Sequence, residues 1–471
     1  MLSNVWDFPI FTSNRTTRCR GKRSVALQYQ AQNKENINKQ HRRNQMKFNK
    51  WTVALAAIGV VSLASAARAD EQMNAVQTAL SSTTLSGYVD TAATWRPGTD
   101  SGPATVFPNL PAYAFAKNDG FSLNAVDIAL NKPEDESPWA AGYHVELMLG
   151  PDSIPLGNAA IAGIPIGGIG GSAGLGSLRQ AYVTLRTPVG NGIDWKVGVF
   201  DTIIGYESTS DPLDPNYTRS YGYSIEPTTH TGVLATYKVN DMVTVSAGIA
   251  NTWNADTIAS RGTGPELSFG LNNNATFESQ KTYMGSLAFT APDSAGFMKG
   301  ATLTLGVING TSSAEGSATG IPSMTSWYVG MTLPTPVTAL KVGAAFDYLD
   351  IHNGGTTANS SDDSTWVAGL YGSLQATDKL SFNLRGEYLS SAGSGLYDAN
   401  AAGVVNGGSN AAEELTATVQ YQMWANVLSR LEFRWDHVEH GNFFGQAEGA
   451  TVSTPNRAND FLLALNLIYQ F

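Results

Sequence analysis

Cysteine is almost absent from this sequence, and the absence limits what the protein can be. Cys19 is the only cysteine among 471 residues. A framework of disulfides and a zinc site built from several thiolates are therefore both excluded. The chain must be stabilised by packing and by backbone hydrogen bonds.

Long apolar stretches are also missing. The longest, residues 51–66, is rich in Ala and Val, follows the basic segment Met46–Lys50 and precedes the small residues Ala67-Arg68-Ala69. This three-part layout is typical of a secretory signal peptide, and its apolar part is too short to span a membrane as a helix.

These features predict the order of segments at the start of the chain. We expect residues 1–45 to be a disordered upstream extension read from an early start codon, with a long genuine signal extension as the alternative. The signal peptide is then 46–69, and a periplasmic segment at 70–84 begins the mature chain near Asp70.

Positive charge is scarce in the predicted mature chain. Residues 70–471 hold 17 Lys and Arg against 37 Asp and Glu, a net charge of −20 over 402 residues. Binding to nucleic acid needs a basic face, so nucleic acid is excluded as a partner. No later run reaches about 18 apolar residues, so any membrane crossing is made by strands.

The most informative stretch is the last one. Apolar residues alternate through it, which is one face of a β-strand: Phe461, Leu463, Leu465, Leu467, Tyr469 and Phe471. The pattern resembles the C-terminal signal of bacterial outer-membrane barrels, which implies the barrel-assembly machinery and outer-membrane lipid as partners. An ordinary buried terminal strand is the alternative interpretation.

Similar alternation recurs along the whole mature chain. In Leu428–His437 the apolar Leu431, Phe433 and Trp435 oppose charged residues, and related segments lie at 340–349, 380–389 and 415–423. Our tally is sixteen strands, within a range of 12 to 18. We predict an all-β, transmembrane, antiparallel up-and-down β-barrel over 85–471.

The connections support this topology because short and long ones alternate. Short connections of nine residues or fewer fall at 131–138, 188–192, 240–241, 291–299, 334–336, 377–379 and 425–427. Long ones fall at 96–120, 150–176, 201–228, 253–276, 310–324, 350–363, 390–411 and 438–459. An outer-membrane barrel has short periplasmic turns and long outer loops, whereas a soluble sandwich or propeller has no reason to alternate.

The charged faces of the strands indicate a wet interior. Arg beside Glu tolerates burial only with water or a partner, and a sixteen-strand barrel is wide enough to hold water. We therefore predict a porin that passes small hydrophilic solutes or ions passively. The candidate lumen-wall residues are His144, Glu146, Lys341, Arg385, Glu387, Arg430, Glu432, Arg434 and Asp436.

One long loop is the candidate pore constriction. Porins narrow the pore by folding an outer loop inward, and loop 201–228 carries the most charges of suitable kind: Asp201, Glu207, Asp211, Asp214, Arg219 and Glu226. The alternative is an exposed loop whose acids only keep it soluble. The wall arginines could likewise be neutralised by Glu387, Glu432 and Asp436. The net charge predicts a mild preference for cations.

Residues 84–253 resemble a known family. The stretches that carry the resemblance are Leu85–Thr91, Phe121–Leu130, Trp139–Glu146, Val197–Glu207, Asn216–Ser220 and His230–Tyr237. They are similar to the OmpL-like putative β-barrel porin family of Gram-negative-type bacteria. The resemblance implies an outer-membrane barrel with a pore, and it assigns no solute and no site residues.

Two other classes of function remain open, an enzyme and a closed structural or adhesive barrel. No Gly-x-Ser-x-Gly elbow stands at a strand-to-helix turn, and the spacing of His437 and His440 suits a helix better than a strand. The Gly-rich stretch 161–176 lacks the Lys-Ser/Thr of a phosphate loop. We predict no enzyme activity, cofactor or metal, and a homotrimer by analogy with barrels of this size.

Overall fold

The computed structural model describes most of the chain after residue 81. It covers residues 82–97, 119–153, 176–254, 281–311, 323–352, 363–392, 410–442, 444 and 457–471. The predicted extension, the signal peptide, nearly all of 70–84 and most of loop 150–176 lie outside these residues.

The described residues form sixteen β-strands, each antiparallel to its neighbours, that close into a barrel. The predicted fold class is thereby confirmed. The strands are β1 Thr84–Trp95, β2 Gly120–Lys132, β3 Ala141–Leu149, β4 Gly176–Thr187, β5 Ile193–Asp201, β6 Thr229–Lys238, β7 Val243–Ala250, β8 Thr282–Thr290, β9 Thr302–Thr311, β10 Ser323–Pro334, β11 Leu340–His352, β12 Asp363–Gln375, β13 Leu380–Ala392, β14 Asn410–Trp424, β15 Val427–Val438 and β16 Asn459–Gln470.

Alternation along each strand sets which side chains point outward. In β16, Leu465 is 54% exposed and Tyr469 is 50% exposed, whereas Ala464 and Ile468, which directly precede them, are fully buried. The same alternation holds in β15, where Phe433 is exposed. The outer face is therefore apolar, as a lipid-spanning barrel requires.

The connections at one end of the barrel are tight turns. The turn between β4 and β5 contains Gly190 and Gly192, whose φ angles are 59° and 96°. Residues with a Cβ atom rarely adopt these φ angles, so glycine makes the chain reversal possible. In the described part of the chain, no helix is long and apolar enough to cross a membrane.

The first and last strands close the barrel through backbone and side-chain bonds. The amide of Gly87 donates to the carbonyl of Phe471 at 3.1 Å, and the amide of Phe471 donates to the carbonyl of Gly87 at 3.0 Å. On the inner face, buried Asp90 of β1 accepts from Asn466 of β16 at 2.6 Å and from Asn124 of β2 at 2.5 Å. One carboxylate thus joins three strands across the seam.

Candidate pore site

The connection between β5 and β6, residues 202–228, lies against the inner face of the barrel. We call it the inner loop. It contains a 3₁₀ turn at Asp211–Leu213 and a short helix, α1, at Tyr221–Ile225. The hydroxyl of Ser220 caps α1 by accepting from the Tyr223 amide at 2.9 Å, and α1 contacts β11, β12 and β13.

The first residues of the inner loop, including Ile204 and Tyr206, pack on strands whose glycines leave room for their side chains. A Cβ added at Gly306 of β9 would lie 2.3 Å from the side chain of Ile204. A Cβ added at Gly343 of β11 would lie 1.8 Å from the hydroxyl of Tyr206. The Tyr206 ring stacks on Tyr371 of β12 at a centroid distance of 3.9 Å. Side chains at these glycines would displace the loop.

Three wall arginines hold the main chain of the inner loop. Arg385 Nη1 donates to the carbonyl of Thr218 at 2.7 Å, and its Nη2 donates to that of Arg219 at 3.2 Å. Arg434 also donates to the Arg219 carbonyl, at 2.6 Å. Arg430 donates to the carbonyls of Asp211, at 2.8 Å, and Asp214. The guanidinium groups therefore supply donors that water would otherwise provide.

Two wall carboxylates complete this attachment from the acceptor side. Glu432 accepts from the amides of Tyr217, at 2.5 Å, and Thr218, at 2.9 Å. Glu387 accepts from the amides of Tyr221, at 2.5 Å, and Gly222, at 3.3 Å. We call the following six residues of β13–β15 the gripping wall, since five of them bond the main chain of the loop and Glu414 pairs with two of those five: Arg385, Glu387, Glu414, Arg430, Glu432 and Arg434.

We considered that the wall arginines could be neutralised by wall acids, and the structure shows a different set of partners for each arginine. Arg434 pairs with Asp436 at 2.8 Å. Arg385 pairs with Glu414 at 2.6 Å and with Glu207 of the inner loop at 2.7 Å. Arg430 bonds to loop carbonyls instead of to Glu432 as an ion pair. These side chains lie behind the loop, so they position it.

The acids of the inner loop are mostly engaged within the protein. Arg219 lies 2.9 Å from Asp211 and 2.9 Å from Asp214, and all three side chains are buried. Burial raises the pKa of Asp214 to about 7, although Arg219 opposes the shift. Asp201 is the last residue of β5, so the predicted loop start at 201 is one residue early. Its carboxylate pairs with Arg179 at 2.5 Å.

A second cluster of polar residues lies on β3, β4 and β5. Arg179 donates to Glu146 at 2.5 Å, and His144 Nε2 lies 3.1 Å from the same carboxylate. The ring of Tyr182 stacks on that of His144 with centroids 5.3 Å apart, and the ammonium of Lys196 lies 4.8 Å above Tyr182. With Asp201, these residues form what we call the facing wall.

The facing wall acts electrostatically on the front of the inner loop. The Tyr223 phenol of α1 lies within the field of Arg179 and Asp201, and burial raises the pKa of Tyr223 to about 12. Sequence alternation identified His144 and Glu146 but missed Arg179. A register shift between β3 and β4 beside Glu146 brings Arg179 out of the strand alternation, and its side chain is only 4% exposed. A bulge of this kind leaves no simple sequence signal.

Strands β6–β8 line the inner face with hydroxyl groups at corresponding positions. The hydroxyls of Thr236 and Ser246 lie 3.0 Å apart, and Ser286 faces Ser246 across β7 and β8. Lys341 lies near the turn end of β11, where it is exposed and opposite Ser373.

The histidines considered for a metal pair lie near the other end of the barrel. His437 Nδ1 lies 3.0 Å from the Asn459 side chain, and its ring stacks on Trp435. His440 contributes backbone groups that bond the Asn410 side chain. Among the residues that the structure describes, no group of three or more His, Cys, Asp or Glu side chains is arranged to hold a metal ion.

Comparison with known structures gives the same architecture. The DcaP channel of Acinetobacter baumannii is 12% identical with a TM-score of 0.51 and covers 83% of this chain and 97% of its own. An anion-selective porin from Comamonas acidovorans is 12% identical at a TM-score of 0.51, covering 83% and 99%. OprB of Pseudomonas putida is 11% identical at 0.50, covering 85% and 97%. At these identities the likeness concerns the fold alone.

The family comparison covers the entire barrel. No curated protein matches the sequence. The model of the family described as "Putative beta-barrel porin-2, OmpL-like" matches residues 82–471, so the resemblance seen in residues 84–253 extends to the C-terminus. The chain belongs to this OmpL-like porin family and is a β-barrel porin of the bacterial outer membrane.

Proposed function

We propose that the barrel is a water-filled channel for passive diffusion of small hydrophilic solutes and ions, narrowed by the inner loop and mildly selective for cations. The observation that carries the proposal is the attachment of the loop to the gripping wall, with Arg385 and Glu432 bonding its main chain. A loop fixed in this way leaves the passage between its front and the facing wall.

The balance of buried charge supports the cation preference. Among the described residues, thirteen Asp and Glu side chains are buried against six Arg side chains. Because low-dielectric surroundings strengthen a field, the potential along the passage is expected to be negative and to concentrate cations.

Single-channel recording in planar bilayers tests the proposal. We expect steady conductance and, in a salt gradient, a reversal potential on the cation side that shrinks as salt rises, because screening weakens the field. Absence of conductance from correctly folded protein would favour the closed adhesive barrel. A reversal potential on the anion side would refute the cation preference while leaving the channel in place.

The enzyme alternative has its own test. An outer-membrane hydrolase would release fatty acid from lipid or ester substrates, whereas we propose that this porin has no catalytic activity. Hydrolysis by the purified protein that is lost on replacing His144 or His437 would contradict us. Hydrolysis unaffected by either change would indicate a contaminant.

We also propose an export leader at residues 46–69, which lie outside the described structure, and a homotrimeric assembly. The leader is supported by the three-part layout of its sequence. The mass of the purified membrane protein is expected to correspond to a start near Asp70. Native mass spectrometry is expected to find three copies, and a single copy would refute the trimer.

Phe471 and Tyr469 are proposed as the signal for barrel assembly. The ring of Phe471 lies over Gly87 of β1, where an added Cβ would approach it to 2.8 Å. Deleting Phe471 is expected to impair insertion strongly, because the closing strand loses its last backbone bonds and its aromatic end. Gly87→Ala retains the signal but crowds both the Phe471 ring and the Asp127 carbonyl of β2, so it is expected to insert yet unfold more easily. Normal insertion without Phe471 would refute its role.

A further inference from the structure

The returning end of the inner loop meets the wall through carboxyl groups. Glu226 follows α1 and is 9% exposed, and Asp347 of β11 is 4% exposed. Their carboxyl groups lie within hydrogen-bonding reach of each other, and Oδ1 of Asp347 is buried with no donor among the described residues. Two carboxylates offer only acceptors, so a hydrogen bond between them requires a proton on one of them.

The surroundings of this pair are acidic and tightly packed. The charged groups that act most strongly on Glu226 are Asp347, Glu207 at the start of the loop and Glu387 of β13. Glycines bring the backbone close: a Cβ at Gly205 would lie 2.6 Å from Glu226 Oε2, and one at Gly222 would lie 2.8 Å from Asp347 Oδ2.

The other groups around the pair do not supply a compensating charge to Glu226. Tyr328 of β10 lies within its field, and Tyr371 of β12 lies near Glu387 and Glu207. Arg385 of β13 is a guanidinium of the gripping wall, and it is ion-paired with Glu207 and Glu414. A proton is therefore what allows the two carboxyl groups to remain together.

We propose that Glu226 and Asp347 form a proton-binding site that fastens the returning end of the inner loop to β11, so that alkaline pH releases this end and disturbs the pore. This regulation rests on the proposed channel function and concerns the same loop. The proton is the ligand of the site.

The direction of the effect follows from the electrostatics. Burial, reinforced by Asp347, Glu207 and Glu387, raises the pKa of Glu226 well above its usual range. The attached state therefore keeps its proton at a pH where a freely solvated glutamic acid has lost it, and it loses the proton as the pH rises through that raised value. Two adjacent buried negative charges then repel each other, and the end of the loop separates from β11.

A spin label on α1 tests the attachment without using conductance. The label is attached to Ser224→Cys, which is partly exposed on α1, and it marks one site because residues 70–471 contain no other cysteine. From about pH 6 to about pH 10 we expect the label to become reversibly more mobile in the otherwise native protein. In Glu226→Gln the amide donates to Asp347 at every pH, so the mobility is expected to stay low throughout.

Two further variants complete the design. Asp347→Asn is expected to remove the transition in the same way, because its amide donates to Glu226, and it serves if Glu226→Gln fails to fold. Asp241→Asn, on the exposed turn between β6 and β7, is expected to keep the native transition. An unchanged label in the native protein, or an identical transition in both carboxamide variants, would overturn the proposal.

Bilayer recordings over the same pH range connect the site to the pore. We expect steady current at neutral pH and fluctuating current at high pH, and we expect the fluctuation to be lost in Glu226→Gln. Fluctuation that persists in this variant would overturn the regulation. If no form conducts at any pH, the channel function fails, while the label still decides whether the proton holds the loop.

Discussion

The gripping wall and the facing wall are built from the same residue types and have opposite relations to the inner loop. In the gripping wall, Arg385 and Glu432 direct their hydrogen bonds to the main chain of the loop. In the facing wall, Arg179 bonds to the side chains of Glu146 and Asp201, on the strands at either side. One wall positions the loop, and in the proposed channel the other wall lines the passage.

Exposure differs between the gripping wall and part of the facing wall. Arg385 and Arg434 are fully buried beneath the loop, and Arg179 and Glu146 of the facing wall are nearly as buried, whereas the side chain of Asp201 is 40% exposed and Lys196 is partly exposed. Substitutions in the gripping wall should therefore reduce stability and loop order first. Substitutions at the more exposed positions of the facing wall, such as Lys196, should change selectivity while the barrel keeps its stability.

Arg385→Met is expected to have the largest effect on stability. It removes the partner of Glu207 and one of the two arginines paired with Glu414, and it leaves the Thr218 carbonyl without its donor. Removing one member of a buried ion pair costs about 3–5 kcal/mol, to be measured by denaturant unfolding in detergent. Arg186→Met is the matched control, because its pair with Asp194 is partly exposed and should contribute less than about 1 kcal/mol. Equal losses would contradict the assignment of the two walls.

Phe433→Arg tests the outer side of β15, whose inner side carries Arg430, Glu432 and Arg434. Phe433 is 42% exposed on the apolar face, near the ring of Phe461 at a centroid distance of 6.3 Å. An arginine facing lipid near the midplane costs about 2–4 kcal/mol. Glu432→Gln, one residue away, disturbs the bonds to the loop and should cost about 1–3 kcal/mol. The two variants separate further in recordings, since Glu432→Gln should make the current noisy and Phe433→Arg should leave the open current unchanged.

The fold could be predicted from the sequence because strand alternation and connection length are local properties. Leu431 and Phe433 against Arg430 and Glu432 already define two faces, and burial in the structure agrees with that assignment. The terminal strand was equally clear, since a soluble protein rarely leaves an apolar stripe on its final residues and a barrel turns such a stripe toward lipid.

The partners of the inward-facing residues could not be predicted in the same way. Alternation shows that Arg430 points inward, and it does not show that the Asp211 carbonyl, 219 residues away in sequence, accepts from it. Arg179 was missed because a register shift removes it from the alternation. The sequence also does not show which acids of the loop face open space, because this depends on contacts formed in the folded protein. The pairing of Asp211 and Asp214 with Arg219 is an example.

The double variant Asp211→Asn, Asp214→Asn changes the inner loop between the two walls, and we expect a moderate effect on ion selectivity and on loop order. The double change leaves the buried Arg219 without its two carboxylates, so a positive charge is uncovered near the passage. We expect lower cation preference with a weaker dependence on salt, and some loss of loop order. The single change Asp214→Asn should alter selectivity less, since burial already raises the pKa of Asp214 to about 7. A reversal potential equal to the native value in the double variant would remove these acids from the selectivity of the pore.

Lys196→Gln is expected to have the smallest effect on stability and is the sharpest test of the facing wall. Its ammonium lies 4.8 Å above the ring of Tyr182 at a partly exposed position on β5, so its loss should change unfolding by no more than about 1 kcal/mol. Because a positive charge on the passage repels cations, its removal should increase cation preference, opposite in sign to the change expected for the Asp211 and Asp214 pair. Reversal potentials at low salt measure the difference, and Lys341→Gln controls for a lysine near the turn end. If the two lysine variants shift the potential equally, the facing wall has no special place in selectivity, and the field of the whole lumen sets it instead.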